Sequence, residues 1–372
     1  MSIATITGLK FRQAAFEDYE RIATLQSRYA MGIESYEAWS HLWANNPAFQ
    51  KFQGWPMGWV FENEDSEIVG HVANIPLPYE FANQTLVAAA SRAVVVDVRY
   101  RSYSFQLLSR FFYQKRVDLF LATTVNAQAS KANEVFRVSR VPVGKWDQSV
   151  FWITNYVGFS KSLLAMKEIH RGKTLGYPLA AGLFLRDTVE GRKLKTLSNG
   201  AEVEFCDKFD ERFDNFWQEL RMNFPRHLLA VRSREMMEWH FKHAMAKNRA
   251  WVLTISKGSA LVAYAIFHRQ DNPVHALTRM RLVDFQVLGE NMELLRPIFC
   301  QAIARCRREK IHMLEAIGFS AQKQRVLETL APHVRALSSW RYFYKAGNPT
   351  LAQALKDPAV WDPSCFDGDA SL

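Results

Sequence analysis

The sequence predicts an α/β protein made of two copies of one unit in tandem. Three observations carry this: a strand-turn-helix that recurs half a chain apart, an apolar hairpin ahead of each copy, and an element order that restarts after Gly200. The segment Val96-Asp97-Val98-Arg99-Tyr100-Arg101-Ser102-Tyr103-Ser104 leads into Leu107-Leu108. Its counterpart Val283-Asp284-Phe285-Gln286-Val287-Leu288-Gly289-Glu290-Asn291 leads into Leu294-Leu295, and the two are 187 residues apart in a chain of 372. A fixed shift near half the length marks a duplicated domain.

The hairpins repeat at a similar distance. Trp59-Val60-Phe61 runs through Glu64-Asp65-Ser66 into Ile68-Val69-Gly70, and Trp251-Val252-Leu253 runs through Lys257-Gly258-Ser259 into Leu261-Val262-Ala263. Apolar runs around a short polar turn read as antiparallel strand pairs. These copies are 192 residues apart, so a few residues are inserted between hairpin and loop in the first copy.

Each further element follows in order. Phe16 to Ala44 is helical in pattern, with Tyr19, Ile22, Leu25 and Tyr29 spaced to line one face. After the first hairpin, Leu86 to Val98 reads as a long buried strand, Gln106 to Arg116 as a helix and Asp118 to Thr124 as a strand. A helix over Gln128 to Val138 and a strand at Val150 to Ile153 close the first unit. Between Tyr156 and Gly200, Gly172, Gly176, Pro178, Gly182 and Gly191 break up any long element. The pattern restarts with a strand at Val203 to Cys206, helices over Arg212–Arg221 and Arg234–Ala244, the second hairpin, the second loop and a strand at Ile311 to Ala316. The expected boundaries are residues 1–160, a connecting region 161–200, and 201–372.

Composition narrows the class. With 48% hydrophobic and 23% charged residues the chain is globular, and no run reaches the ~20 apolar residues of a spanning helix. Cys206, Cys300, Cys306 and Cys365 lack CxxC spacing, which points to reduced thiols and a soluble cytoplasmic protein. A net charge of +10 favours an anionic partner, but the basic residues are spread out, which weighs against a nucleic-acid surface. His240 and His243 have no third ligand at metal spacing, so no metal site is expected. Phe209, Phe213, Phe216 and Trp217 recur at helical spacing and read as core.

The first loop has the chemistry of a phosphate cradle. A helix start offers unpaired N–H groups and a positive dipole end; Ser102 and Ser104 are small hydroxyl donors there, and Arg99 and Arg101 supply charge. The second loop is poorer, because Glu290 adds negative charge, Pro297 follows closely and no arginine lies between Gln286 and Leu295. The first is therefore the expected cofactor site, and the second half the structural or acceptor-binding one.

These residues resemble the GNAT acyl-CoA N-acyltransferase superfamily, whose signature is Q/R-x-x-G-x-G/A after a long strand. Here it reads Arg99, Ser102 and Ser104, with serines in place of glycines, and then Gln286, Gly289 and Asn291 in the second half. The resemblance implies two GNAT-like domains, each a mixed, mostly antiparallel twisted sheet flanked by helices. It implies acetyl-CoA or another acyl-CoA as co-substrate, held by Val96, Val98, Arg99, Tyr100, Arg101, Ser102, Tyr103, Ser104 and Phe105, with Asn126 and Ser130 near the following strand. The acceptor would be a small-molecule amine. Of the family's usual acid and base, the tyrosine is absent between Val125 and Asn155, where Asn133 and Phe136 occupy its positions; Asp97 and Glu80 are the candidate carboxylates. Two other readings stand beside this one: a Fem-type transferase that uses aminoacyl-tRNA, and a binding protein of the same fold without turnover. The acidic C-terminal stretch from Trp361 to Asp369 reads as a capping segment.

Overall fold

The computed structural model describes residues 8–126, 130, 135–169, 172–192, 202–289, 291–330, 332–337 and 339–372. Strand β1 (Lys10–Gln13) precedes α1 (Tyr19–Arg28), which buries Ile22 and Leu25 as its spacing requires. Ser35 caps α2 (Tyr36–Ala44), and Asn46 caps α3 (Pro47–Lys51), whose proline sits where a missing N–H costs nothing. The hairpin partners β2 (Gly58–Glu62) and β3 (Ile68–Phe81) lead to the long β4 (Gln84–Val96), then α4 (Ser104–Phe112), β5 (Leu119–Val125) and the short β6 (Ser139–Arg140). Most of the helix expected over 128–138 lies outside the described residues.

The strand at Val150–Ile153 forms as β7 (Gln148–Ile153), followed by α5 (Tyr156–Met166) and α6 (Gly172–Val189). These two helices correct the expectation that glycines would break the connecting region. Gly176 faces Lys161 so closely that a Cβ there would lie 2.9 Å from the Lys161 Cγ, so this glycine serves helix packing. Then come β8 (Val203–Cys206), α7 (Glu211–Asn223), β9 (Leu229–Ala230), α8 (Arg234–Ala246), β10 (Ala250–Lys257), β11 (Ala260–Arg269) and β12 (Arg279–Val287). The chain ends through α9 (Leu295–Arg308), β13 (Met313–Ile317), α10 (Ala321–Thr329), β14 (His333–Ala336), β15 (Arg341–Ala346) and α11 (Pro349–Ala354). Pro297 lies in the first turn of α9, where proline is tolerated.

Two mixed sheets result. The first runs β1-β2-β3-β4-β5-β15-β6, with β9 also on β3, and the second runs β8-β10-β11-β12-β13-β7-β14. Position by position the two orders match, with one parallel pair in each, β4–β5 and β12–β13. The last long strands are exchanged: β7 pairs with β13 of the second sheet, and β15 pairs with β5 of the first. Val150–Ile153 therefore does not close the first domain, because its partner comes from the other half of the chain. The acidic C-terminal stretch runs between the two sheets and is mostly buried; Tyr79 Oη of β3 donates to Asp367 Oδ1 at 2.8 Å, and Cys365 Sγ donates to Ile317 O of β13 at 3.1 Å.

Candidate active site

The parallel pair in the first sheet is short. Only Ala88–Ala90 pair with Leu119–Leu121, and beyond Ser91 the two strands part. At the same place β4 carries a bulge: His71 pairs with Val95 and Ala73 with Arg92, so Ala93 and Val94 stand opposite Val72 alone. Ala93 takes φ +51°, a conformation that costs an alanine energy and is held only by its surroundings. A bulge turns backbone groups out of the ladder and re-aims the strand. The result is a wedge between two strands, opening at a kinked edge.

Ahead of the wedge lies the loop. Asp97 is buried and its Oδ1 accepts from Arg99 N at 3.0 Å and from Arg99 Nε at 3.1 Å. Arg99 holds the Asp97 carboxyl below its usual range through these bonds. Val98 lies past the strand end, in a 3-10 turn over Val98–Tyr103, and donates its N–H to Tyr29 Oη at 2.8 Å. The turn thus uses its own first amides, since Tyr100 N donates to Asp97 O at 2.8 Å. Val96 ends β4, Tyr103 packs inward toward Phe61, Ser104 Oγ donates to Arg101 O at 2.7 Å, and Phe105 stacks on Phe136 at 4.6 Å. Arg101 and Ser102 are exposed, and their side chains make no bond to the described residues. What the turn offers an anion is therefore the Arg101 guanidinium, the Ser102 hydroxyl and the start of α4.

The remaining sequence candidates separate. Glu80 pairs with Arg221 at 2.7 Å and lies ten residues along β3 from Gly70, the partner of Val96. At ~3.3 Å per residue it is ~33 Å from the loop, so Glu80 and Asp97 do not share a site. Ser130 Oγ donates to Asn126 O at 2.8 Å and accepts from Arg341 of β15 at 3.0 Å, which ties Asn126 and Ser130 to the β5 end of the wedge. Phe136 is core, and Asn133 lies outside the described residues.

Behind the bulge is a cavity of about 290 Å³, bounded by α1, α2, β4 and the C-terminal stretch. His71, Arg92, Ala93, Thr124 and Asp369 line it. His71 is 1% exposed, its ring bonds the Ala93 backbone, and its Nδ1 has no partner among the described residues. Burial lowers the His71 pKa to about 4, so the ring is neutral at physiological pH. Arg92 donates to both carboxylate oxygens of Glu34, at 3.2 and 2.8 Å, and to Leu372 O at 2.8 Å. Asp369 accepts from Thr123 Oγ1 at 2.5 Å, and burial raises its carboxyl above the usual range. Sequence reasoning missed all of these; the one local signal was a histidine and an asparagine, His71 and Asn74, inside an apolar strand.

The matching space in the second half is filled. Arg232 donates to both oxygens of Asp284, at 2.8 and 3.1 Å, Tyr264 Oη and Ser364 Oγ also donate to Asp284, and Lys323 Nζ donates to Gln286 Oε1 and Asp362 Oδ2. Burial would raise the Asp284 carboxyl, yet Arg232 overcomes this and holds it at about 2.

Solved structures share the fold of the chain. The yeast (Saccharomyces cerevisiae) N-myristoyltransferase with bound myristoyl-CoA is 9% identical with a TM-score of 0.59, the match covering 92% of this chain and 80% of that one. A GCN5-related N-acetyltransferase from Anabaena variabilis is 13% identical with a TM-score of 0.52, over 91% and 73%. The chain has the fold of the GNAT acyl-CoA N-acyltransferase superfamily. A probable N-acyltransferase from Enterococcus faecalis is 10% identical with a TM-score of 0.56, over 91% and 73%. No family model and no curated protein matches the sequence.

Proposed function

We propose that this GNAT-fold chain transfers an acyl group from an acyl-CoA to an amine, in its first half. One observation carries the reading: β4 and β5 separate at a bulge that has an anion-ready turn ahead of it and, behind it, a cavity lined in part by His71, Arg92 and Asp369. Arg101, Ser102 and the start of α4 would take the pyrophosphate. The backbone of Arg92–Val96 would pair with the pantetheine arm, and the thioester, the group the co-substrate supplies, would meet the amine at Ala93–Val94. The Asp369 carboxylate, held by the Thr123 hydroxyl, would attract the acceptor's ammonium form. The unpartnered Nδ1 of His71 would then accept a proton from that ammonium, freeing the lone pair that attacks the thioester carbonyl; the C–S bond breaks as the C–N bond forms, and the proton the nitrogen sheds passes to the departing thiolate. The cavity admits a small amine or a chain end. Cys300, Cys306 and Cys365 are buried and form no disulfide among the described residues, in agreement with a cytoplasmic setting.

The test is a thermal shift of the purified protein with CoA and with acyl-CoAs from acetyl to myristoyl, beside Arg101→Glu. Stabilisation of the wild type, lost in the variant, is expected. No shift with any acyl-CoA would overturn the reading and turn attention to aminoacyl-tRNA as donor, whose binding would weaken steeply with salt.

A further inference from the structure

The helical hairpin α5–α6 presents an unusual surface. A helix at a protein–water boundary is polar on its outer side, yet α6 has no charged residue from Thr174 to Leu185. Its outer row is Leu175, Pro178, Gly182, Leu185 and Val189, spaced alternately by three and four residues, so that they fall on one face. All five are exposed, Leu185 by 62% and Val189 by 86%, and a Cβ built at Gly182 meets nothing within 4 Å. Of the seventeen large apolar side chains most exposed among the described residues, seven fall between Met166 and Val189. The inner side is well satisfied: Gly176 packs on Lys161, Tyr156 Oη donates to Asp187 Oδ2 at 3.0 Å, and His333 bonds the same carboxylate at 2.9 Å. The hairpin is thus firmly anchored, and its apolar row faces outward.

Its charge says what covers that row. Between Lys161 and Lys195 the sequence has eight basic residues, Lys161, Lys167, Arg171, Lys173, Arg186, Arg192, Lys193 and Lys195, against Glu168, Asp187 and Glu190. Those thirty-five residues hold a net of five charges, half of the chain's +10. Asp187 is buried beneath the hairpin, and Glu190 accepts from Arg192 Nε at 2.5 Å while Arg192 Nη1 donates to Pro332 O at 2.8 Å, so Arg192 is already engaged and the excess lies with the other basic residues. A second copy docking by two-fold symmetry would bring two such basic segments together. An anionic lipid surface is complementary to both features, since it receives apolar side chains at the acyl boundary and basic ones among its headgroups. The uncharged stretch is too short to span a bilayer, and no helix among the described residues is long and apolar enough to cross one.

We infer that α6 lies in the plane of an anionic membrane surface, with Leu175, Leu185 and Val189 inserted and Lys161 and Lys167 at headgroup level. The test is co-sedimentation of the full chain with vesicles of phosphatidylcholine alone and of phosphatidylcholine mixed with phosphatidylglycerol, at low and high salt. Binding to the mixed vesicles at low salt is expected, with about tenfold weaker binding to the neutral ones and loss in high salt. Leu185→Asp with Val189→Asp should weaken binding by about tenfold or more at an unchanged melting temperature, because both side chains are exposed. Should that pair impair folding, Lys161→Glu with Lys167→Glu, which leaves the apolar row intact, must abolish binding to the mixed vesicles. Wild type that stays in the supernatant with anionic vesicles overturns the inference. So does a dimer in sedimentation velocity that the Asp pair dissociates, which would make a second copy the occupant.

Discussion

His71 ties stability to pH, and in the proposed reading it is also the proton acceptor in the cavity. Its folded pKa of about 4 lies below the 6.5 of the unfolded chain, and burial lowers His240 to about 3 and His268 to about 4 in the same way. Between those values the unfolded state binds more protons, so the histidine contribution is complete above pH 6.5 and is lost as the pH falls toward 4. A tenfold change in proton affinity corresponds to about 1.4 kcal/mol, so His71 alone accounts for an upper bound of about 3 kcal/mol. Asp367 opposes this, because burial raises its carboxyl to about 6, which favours the fold on the acid side. Three histidines outweigh it: the urea midpoint should drop between pH 6.5 and 4, and His71→Gln should flatten that drop. A midpoint that holds or rises on acidification would refute this. In turnover, His71→Ala and Asp369→Asn should each lower kcat by about 10²-fold while acyl-CoA still shifts the melting temperature. Variants with normal kcat would remove both residues from the chemistry. Residue types were a poor guide here: Asp97 and Glu80 were legible as carboxylates, but register separates Glu80 from the loop, and Arg99 takes up Asp97. His71 matters through burial and a missing partner, and neither is written in its neighbours.

Among the elements, the C-terminal stretch shows how a backbone conformation can hold a site. Gly368 has φ +62°, and a Cβ there would lie 2.4 Å from Thr123 Cγ2, beside the hydroxyl that Asp369 accepts from. Gly368→Ala therefore meets a left-handed backbone and a contact that only Thr123 can relieve. A loss of about 1–3 kcal/mol in chemical denaturation is expected, with reduced turnover as the Thr123–Asp369 pair shifts. An unchanged stability would show that this stretch does not position the cavity. The sequence marked the long strand, the turn after it and both hairpins well, because apolar runs and polar turns are local signals. It misjudged α5 and α6, since glycine and proline there serve close packing and a helix interior rather than loops. It read the C-terminal stretch as a cap because acidic, glycine-containing sequence suggests solvent, whereas Tyr79, Thr123 and Ser364 N satisfy its carboxylates inside the molecule.

At the level of the whole molecule the exchanged strands decide how the chain unfolds. Duplication was legible from the repeated segments, but the exchange was not, because β7 and β15 are both short, largely apolar runs and nothing local specifies which edge each one joins. Its consequence is that neither half is complete. Residues 1–160 include β7 but leave β5 without β15, and residues 201–372 include β15 but leave β13 without β7. Each fragment would expose a buried central strand as an open edge, a template for aggregation. The hydrogen bonds of Tyr79 to Asp367 and of Thr123 to Asp369 join the halves further. The full chain should therefore melt in one transition, with calorimetric and van't Hoff enthalpies equal despite a length at which two domains often unfold separately. Expressed alone, 1–160 and 201–372 should aggregate or lack cooperative melting, whereas a cut at 193, which leaves both exchanged strands attached, should yield two chains that co-purify. A monomeric 1–160 with its own sharp transition would mean that β5 tolerates an open edge, and the exchange would then be a packing detail rather than the source of cooperativity.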